Sequence, residues 1–148
     1  MTNILPKTDD ADTAPFWNAA KERRLVVQEC DACGVVRHPP HPFCPACQNA
    51  THRWREASGY GRVWTYAFVY KPTLPAFAPY TPFPIAYIEL EDHPAIRMTG
   101  NLVAGPGAEI NSVPHDDVHI GLRVKVVFED VADDVTMPRW MPVAEGAA

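Results

Sequence analysis

With 148 residues, 13 Lys and Arg against 18 Asp and Glu, and a net charge of −5, the chain has room for one ordinary domain, or for a small metal module and a small domain. The acid excess argues against electrostatic attraction to nucleic acid or an anionic membrane, and no apolar run approaches the roughly 20 residues of a membrane span. Sixteen prolines, 47% hydrophobic residues and only 21% charged ones point to strands and loops with a partly apolar surface.

Residues 1–13 are polar, acidic and aperiodic, so a disordered tail is expected there. They contain no charged-then-apolar leader, and a cytoplasmic location is the expectation. Thr13-Ala14-Pro15 then starts a helix with proline in its first turn, and Phe16 and Ala20 share one face. A helix this short is marginal alone, so Phe16 and Trp17 must dock on their own domain or on a partner. Residues 24–29 form a β-type run that leads into the first of two cysteine pairs.

Those pairs are Cys30-Asp31-Ala32-Cys33 and Cys44-Pro45-Ala46-Cys47, ten residues apart and holding all four cysteines of the chain. Each C-x-x-C turn aims two sulfurs at a point about 2.3 Å away, and two such turns complete a closed tetrahedral site, so one structural zinc is expected. Gly34 suits the positive φ often needed just past a knuckle; the second knuckle has Gln48-Asn49 there, with Asn the more tolerant type. Disulfides, iron in the same cage and a thioredoxin-like couple are the competing readings. His38 and His41, between the knuckles, are substitute ligands only if a cysteine is displaced. Pro39-Pro40-His41-Pro42-Phe43 makes an extended arm. Val35 to Arg37 and Thr51 to Glu56, the latter with Trp54, supply the flanking strands. Ser58-Gly59-Tyr60-Gly61 marks the module boundary. The expected division is therefore tail 1–13, helix and rubredoxin-like zinc ribbon 14–57, barrel 58–143 and tail 144–148.

In the run from Arg62 to Tyr70 aromatic rings occupy every even position from Trp64 on, which predicts a strand with one aromatic face. Further strands are expected at Ile85–Glu91, Ala95–Val103, Leu122–Glu129 and Val135–Val143, with a short helical turn near Pro114. Five strands in so short a length, with no long helix, suit a mainly β protein whose second part is a five-stranded OB-fold barrel. Between the first two of these strands, the proline-rich loop Lys71–Pro84 is stiff enough to present Leu74, Phe77, Tyr80 and Phe83 to a ligand or partner. Phe16, Trp17 and Trp140-Met141 are the other candidates for an apolar contact surface.

No catalytic residue emerges. Ser112 near His115 and Asp116 is a sequence neighbourhood rather than a spatial triad, the acids at Glu129, Asp130, Asp133 and Asp134 read as a solvated turn, and His52, His93 and His119 are isolated.

The order of Phe16-Trp17, Cys30-Asp31-Ala32-Cys33-Gly34, Pro42-Phe43-Cys44-Pro45-Ala46-Cys47, Trp54, Gly59-Tyr60-Gly61-Arg62-Val63, the proline loop, Gly100-Asn101-Leu102-Val103, Ile120-Gly121-Leu122-Arg123-Val124 and Pro138-Arg139-Trp140 resembles the zinc-ribbon and OB-fold proteins called domain of unknown function 35. The resemblance runs from about residue 14 to near the C-terminus and includes all four cysteines. It implies a non-catalytic accessory subunit in acyl-CoA metabolism, serving a thiolase-like enzyme (thiolase, aldolase or acyltransferase) or a hot-dog-fold hydratase, in some cases in lipid or steroid side-chain degradation, with acyl-CoA at a shared site. Arg62, Lys71 and Arg97 are candidates for the CoA phosphates. A single-stranded nucleic-acid binder, which would stack bases on the aromatic strand, and an independent acyl-CoA enzyme are the alternatives. The acid excess and the lack of a catalytic constellation count against them.

Overall fold

A computed structural model describes residues 5–147. Of the tail expected over 1–13, residues 1–4 lie outside the described residues, and residues 5–10 have no regular structure. The elements then run α1 (Ala14–Lys21), β1 (Val26–Cys30), β2 (Val36–Arg37), β3 (His52–Glu56), β4 (Tyr60–Val69), β5 (Phe83–Leu90), β6 (Arg97–Asn101), β7 (Arg123–Ala132) and β8 (Val135–Pro142). Short 3-10 turns at Pro75–Tyr80 and His115–Asp117 interrupt the long loops.

The first sheet has the order β2-β1-β3 and carries the cysteine knuckles at its ends. The second has the order β6-β5-β4-β7-β8. It closes through a parallel bridge between Leu102 and Trp140, where the Val103 N–H donates to the Trp140 carbonyl at 2.9 Å. Five antiparallel strands with this one parallel seam make the OB-fold barrel, in which closure joins the two outer strands of the sheet, β6 and β8.

Helix α1 settles its own docking question. Phe16, Ala19 and Ala20 are buried, and the helix lies against β1, β7 and β8 of its own chain. Burying one Phe is worth about 1.5–3 kcal/mol, enough to hold an eight-residue helix that would melt in isolation. The chain leaves the helix through Arg23 at φ 63°, and the Arg23 guanidinium forks onto Asp130 of β7, with Nη1 donating to Oδ1 at 2.8 Å. Asp130 also accepts from the Thr136 hydroxyl at 2.7 Å. Arg23 first and Thr136 second hold its carboxyl down at about 2.

The expected single aromatic face on β4 is corrected by a bulge. Val63 faces Ile88 and Thr65 faces Tyr87, so two residues of β4 advance for one of β5 at Trp64. One extra residue exchanges the faces of everything beyond it. Val63 is therefore core before the bulge, and Tyr66 and Phe68 pack on the core after it. Trp64 is left outside, half-exposed beneath the Arg97 guanidinium at 4.1 Å.

Trp140 is likewise no surface residue: at 1% exposure it is the largest fully buried side chain of the barrel, with Met141 only part-buried beside it. Residues 144–147 are tied down. Arg123 Nη1 donates to the Ala147 carbonyl at 2.6 Å, and Arg62 clamps the Glu145 carboxylate with two bonds of 2.7 Å.

Candidate functional site

The two knuckles fold as near copies. Gly34 N–H donates to the Cys30 carbonyl at 2.9 Å and Gln48 N–H to the Cys44 carbonyl at 2.8 Å, each from a left-handed residue, with φ 72° at Gly34 and 63° at Gln48. The left-handed position of the second knuckle is thus Gln48, and Asn49 has a different task. Its amide donates to Thr51 Oγ1 at 2.8 Å and to the Thr51 carbonyl at 3.1 Å, and approaches the Cys30 sulfur at 3.8 Å.

All four sulfurs lie within 4.8 Å of one another, with Cys30 to Cys47 and Cys33 to Cys44 both 3.6 Å. A tetrahedron with 2.3 Å metal–sulfur bonds has edges of about 3.8 Å. The sulfurs therefore fit one zinc with little movement, and the four thiolates leave no position for water or substrate, which makes the site structural. Backbone N–H groups favour two of the four thiolates, whereas Cys33, despite the Val35 N–H, is pushed up to about 12 by the neighbouring Cys47 sulfur and by burial. The N–H groups of Cys33 and Ala32 hold the Cys30 thiol down at about 6, against some desolvation, and those of Cys47 and Ala46 lower Cys44. Cys30 and Cys44 are buried and Cys33 and Cys47 exposed. The histidines between the knuckles lie outside the sulfur cluster.

Sequence reading missed the clamp beneath this site. Gln28 is fully buried, and its Oε1 accepts from Arg37 Nε at 2.7 Å and from the His41 N–H at 2.9 Å. Arg37 Nη2 donates to the His41 carbonyl at 3.0 Å, so the proline arm is fastened to β1 and β2 through side chains whose partners are distant in sequence. Unpaired, Gln28 would cost about 1–3 kcal/mol.

His38 sits at the junction of ribbon, helix and barrel, with its ring 5.4 Å from Phe16. A cleft of about 260 Å³ opens there, lined by Trp17, His38, Met98, Met137 and Arg139 among others. Burial alone pushes the His38 imidazole down to about 4. The unfolded chain takes up a proton below about 6.5 while the folded one stays neutral, so stability is flat above that pH and falls as pH drops toward 4. In zinc-saturated protein, His38→Phe should remove about 2 kcal/mol of the stability lost between pH 7 and pH 5. Urea unfolding at the two pH values reads this directly; parallel losses in variant and parent would contradict it.

The remaining candidate residues scatter. Phe16 and Phe83 are buried and so are corrected from contact residues to core. Trp17 is half-buried, edge-on to Phe16 at 5.2 Å. In the proline loop Leu74 is exposed, Phe77 and Tyr80 are part-buried, and Phe77 leans on Phe83 at 5.9 Å. Arg62 and Arg97 flank Glu89 in one row across β4, β5 and β6. Arg62 is occupied by Glu145, and Arg97 by Glu89 at 3.0 Å as well as by Trp64. Lys71 is exposed at the far end of β4, and among the described residues no carboxylate pairs with it. No helix among the described residues is long and apolar enough to cross a membrane.

Residues 17–53 match the family described as the ChsH2 rubredoxin-like zinc ribbon domain, and residues 54–129 the ChsH2 C-terminal OB-fold domain. A probable enoyl-CoA hydratase alpha subunit of Thermomonospora curvata is 35% identical over 131 residues, which is 88% of this chain and 37% of that protein. The chain thus spans little more than a third of that relative's length. A DUF35 domain-containing scaffold protein of Methanocaldococcus jannaschii is 34% identical over 120 residues, covering 80% of this chain and 77% of the relative. Among solved structures, a chain of the Ltp2-ChsH2(DUF35) aldolase superposes with a TM-score of 0.78 at 33% identity, covering 94% of this chain and all of that one.

Proposed function

Since this chain belongs to the ChsH2 family of zinc-ribbon and OB-fold proteins, also called DUF35, we propose that it is a non-catalytic accessory subunit that binds a thiolase-like enzyme and helps to position acyl-CoA on it, in lipid or steroid side-chain degradation. The observation that carries this reading is the likeness, over 94% of this chain and all of the other, to a chain of the Ltp2-ChsH2(DUF35) aldolase. The likeness to a hydratase alpha subunit supports the same trade, acyl-CoA chemistry performed with another polypeptide, and makes a hydratase the second candidate partner.

The site favours this role over chemistry of its own. Among the described residues the one cluster of metal-ligating groups is a closed thiolate cage, which holds a fold together and leaves no open coordination position. Ser112 is spent on structure, its hydroxyl accepting the Ala104 N–H at 2.9 Å. Base stacking on the strand, the nucleic-acid reading, is disfavoured by the net charge of −5 and by the turning inward of Tyr66 and Phe68. Of the three candidate cations for the CoA phosphates, Lys71 is the one we retain, because both arginines already hold carboxylates.

On this reading the proline loop touches the partner near its substrate. Leu74 precedes and Tyr80 ends a 3-10 turn with no buried residue of its own, while Phe83 anchors the loop in the barrel. Tyr80→Ala in the reconstituted complex should lower turnover or raise KM for acyl-CoA about tenfold, the size of an interface contact worth more than 1 kcal/mol, with the melting temperature of the isolated chain little changed. Unchanged turnover together with full assembly, or acyl-CoA conversion by this chain alone, would overturn the reading.

A further inference from the structure

The barrel closes at β6 and β8, but one of its other seams is incomplete. β4 pairs with β7 only from Tyr60 to Arg62, with the ladder extended by the Gly59 carbonyl, which accepts from Val126, and by Val63, which exchanges bonds with Gly121 and Leu122. Beyond Val63 the chain on that side leaves the ladder at the turn closed by Leu122 N–H on the His119 carbonyl and makes no further backbone pairing with β4 among the described residues, whereas β4 continues to Val69 with β5 as its one ladder partner.

The direction of the free amides follows from proline. Phe68 faces Pro84 across the ladder, and Pro84 has no N–H to give. The pair is therefore a non-hydrogen-bonded one, in which the backbone N–H and C=O of both residues point away from each other. Tyr66, two residues earlier, points the same way as Phe68. Neither residue's N–H or C=O has another partner among the described residues. Thr65-Tyr66-Ala67-Phe68-Val69-Tyr70 is thus an open edge of high β propensity that contains no charge, proline or glycine, the features by which edges are normally blunted. Exposed apolar residues bracket it, with Ile120 at 68% exposure beside its start and Tyr70 at 65% at its end.

We propose that this edge accepts an extended segment of the partner subunit as an added strand, apolar at alternate positions and carrying basic residues. Main-chain hydrogen bonds to Tyr66 and Phe68 would supply affinity in this mode, and side-chain pockets the specificity. Basic residues are called for because the adjoining turn carries Asp116 and Asp117, both exposed and without a Lys or Arg partner among the described residues; its His115 ring lies 4.3 Å from the Phe68 ring. A second copy of this chain would bring the same acids to the edge, and like charges meeting there disfavour it. That the donor is the partner subunit rests on the accessory reading above; the open edge itself does not.

Two arms test the edge. In the first, the isolated 15N-labelled chain is titrated with the capped peptide acetyl-Lys-Val-Thr-Val-Thr-Val-Lys-amide. The Tyr66 and Phe68 amides should shift and exchange at least about tenfold more slowly, and the same peptide N-methylated at every residue between its two lysines, which leaves neither edge able to pair, should do neither. No response at these amides, a response equal for the N-methylated peptide, or a concentration-dependent dimer in which they are already protected would each overturn the proposal. In the second, hydrogen exchange compares the free chain with the complex purified from the native cell. Protection of the two amides in the complex supports a donated strand, while a stable complex with an acyl-CoA enzyme in which both exchange as in the free chain overturns it and leaves the accessory reading standing. A complex that contains no acyl-CoA enzyme removes the accessory reading, and the peptide arm still decides the edge.

Discussion

Cys44→Ser should strip the protein of zinc and unfold the ribbon. Cys44 is fully buried, so the variant loses one of four ligands at a point that neither water nor a neighbouring histidine reaches without opening the knuckle. Structural zinc contributes about 10–16 kcal/mol of binding free energy in small ribbon-like modules, and most of it is folding energy. The three-stranded sheet has only two paired positions between β1 and β2, too little to persist without the metal. Helix α1 loses part of its seat on β1, whereas the barrel keeps its own core. Metal analysis should find about one equivalent of zinc in the parent and under half in the variant, with amide exchange accelerated over residues 26–56 and much less over 83–142. Variant protein that retains a full equivalent, or parent protein whose thiols are paired as disulfides, would refute the assignment.

Trp140→Ala carries the second large effect, this time on the barrel. Its indole fills the space over Gly100, where an added Cβ would lie 2.7 Å from Trp140 Cδ1. Its carbonyl receives the Val103 N–H that closes the sheet. Truncation of a buried Trp costs about 3–5 kcal/mol, a large share of the 5–15 kcal/mol that holds a typical domain. Gly100→Ala attacks the same contact from the other side and should cost about 1–3 kcal/mol by overpacking. Because the two residues touch, the double variant should fall well short of the sum of the single effects. Denaturant midpoints of the three variants test this; additivity would mean that Trp140 does not fill the space over Gly100.

What could be read from the chain beforehand was what is encoded locally. The cysteine spacing defines the metal site because each knuckle is a four-residue turn, and the β runs around Val26, Ile85 and Val124 announce themselves by composition and period. Trp140 does not announce its burial, because its neighbours Pro138, Arg139 and Met141 give no alternation that marks an inner position. Phe83 looked like part of a presenting loop because the prolines before it hide the start of β5. The bulge at Trp64 leaves no mark in the sequence: the even-numbered aromatics are plain, but their common face depends on an unbroken register with β5. The Gln28, Arg37 and His41 clamp and the open edge of β4 were illegible for the same reason, since each depends on which distant segment lies alongside.

The most direct test of the accessory role is to purify this chain from its native cell under mild conditions, identify what co-elutes by mass spectrometry, and weigh the assembly by analytical ultracentrifugation. The account predicts a stoichiometric complex with a thiolase-like acyl-CoA enzyme whose turnover depends on this chain. A free monomer, a complex with nucleic acid, or an enzyme partner that runs at full rate without it would contradict that account.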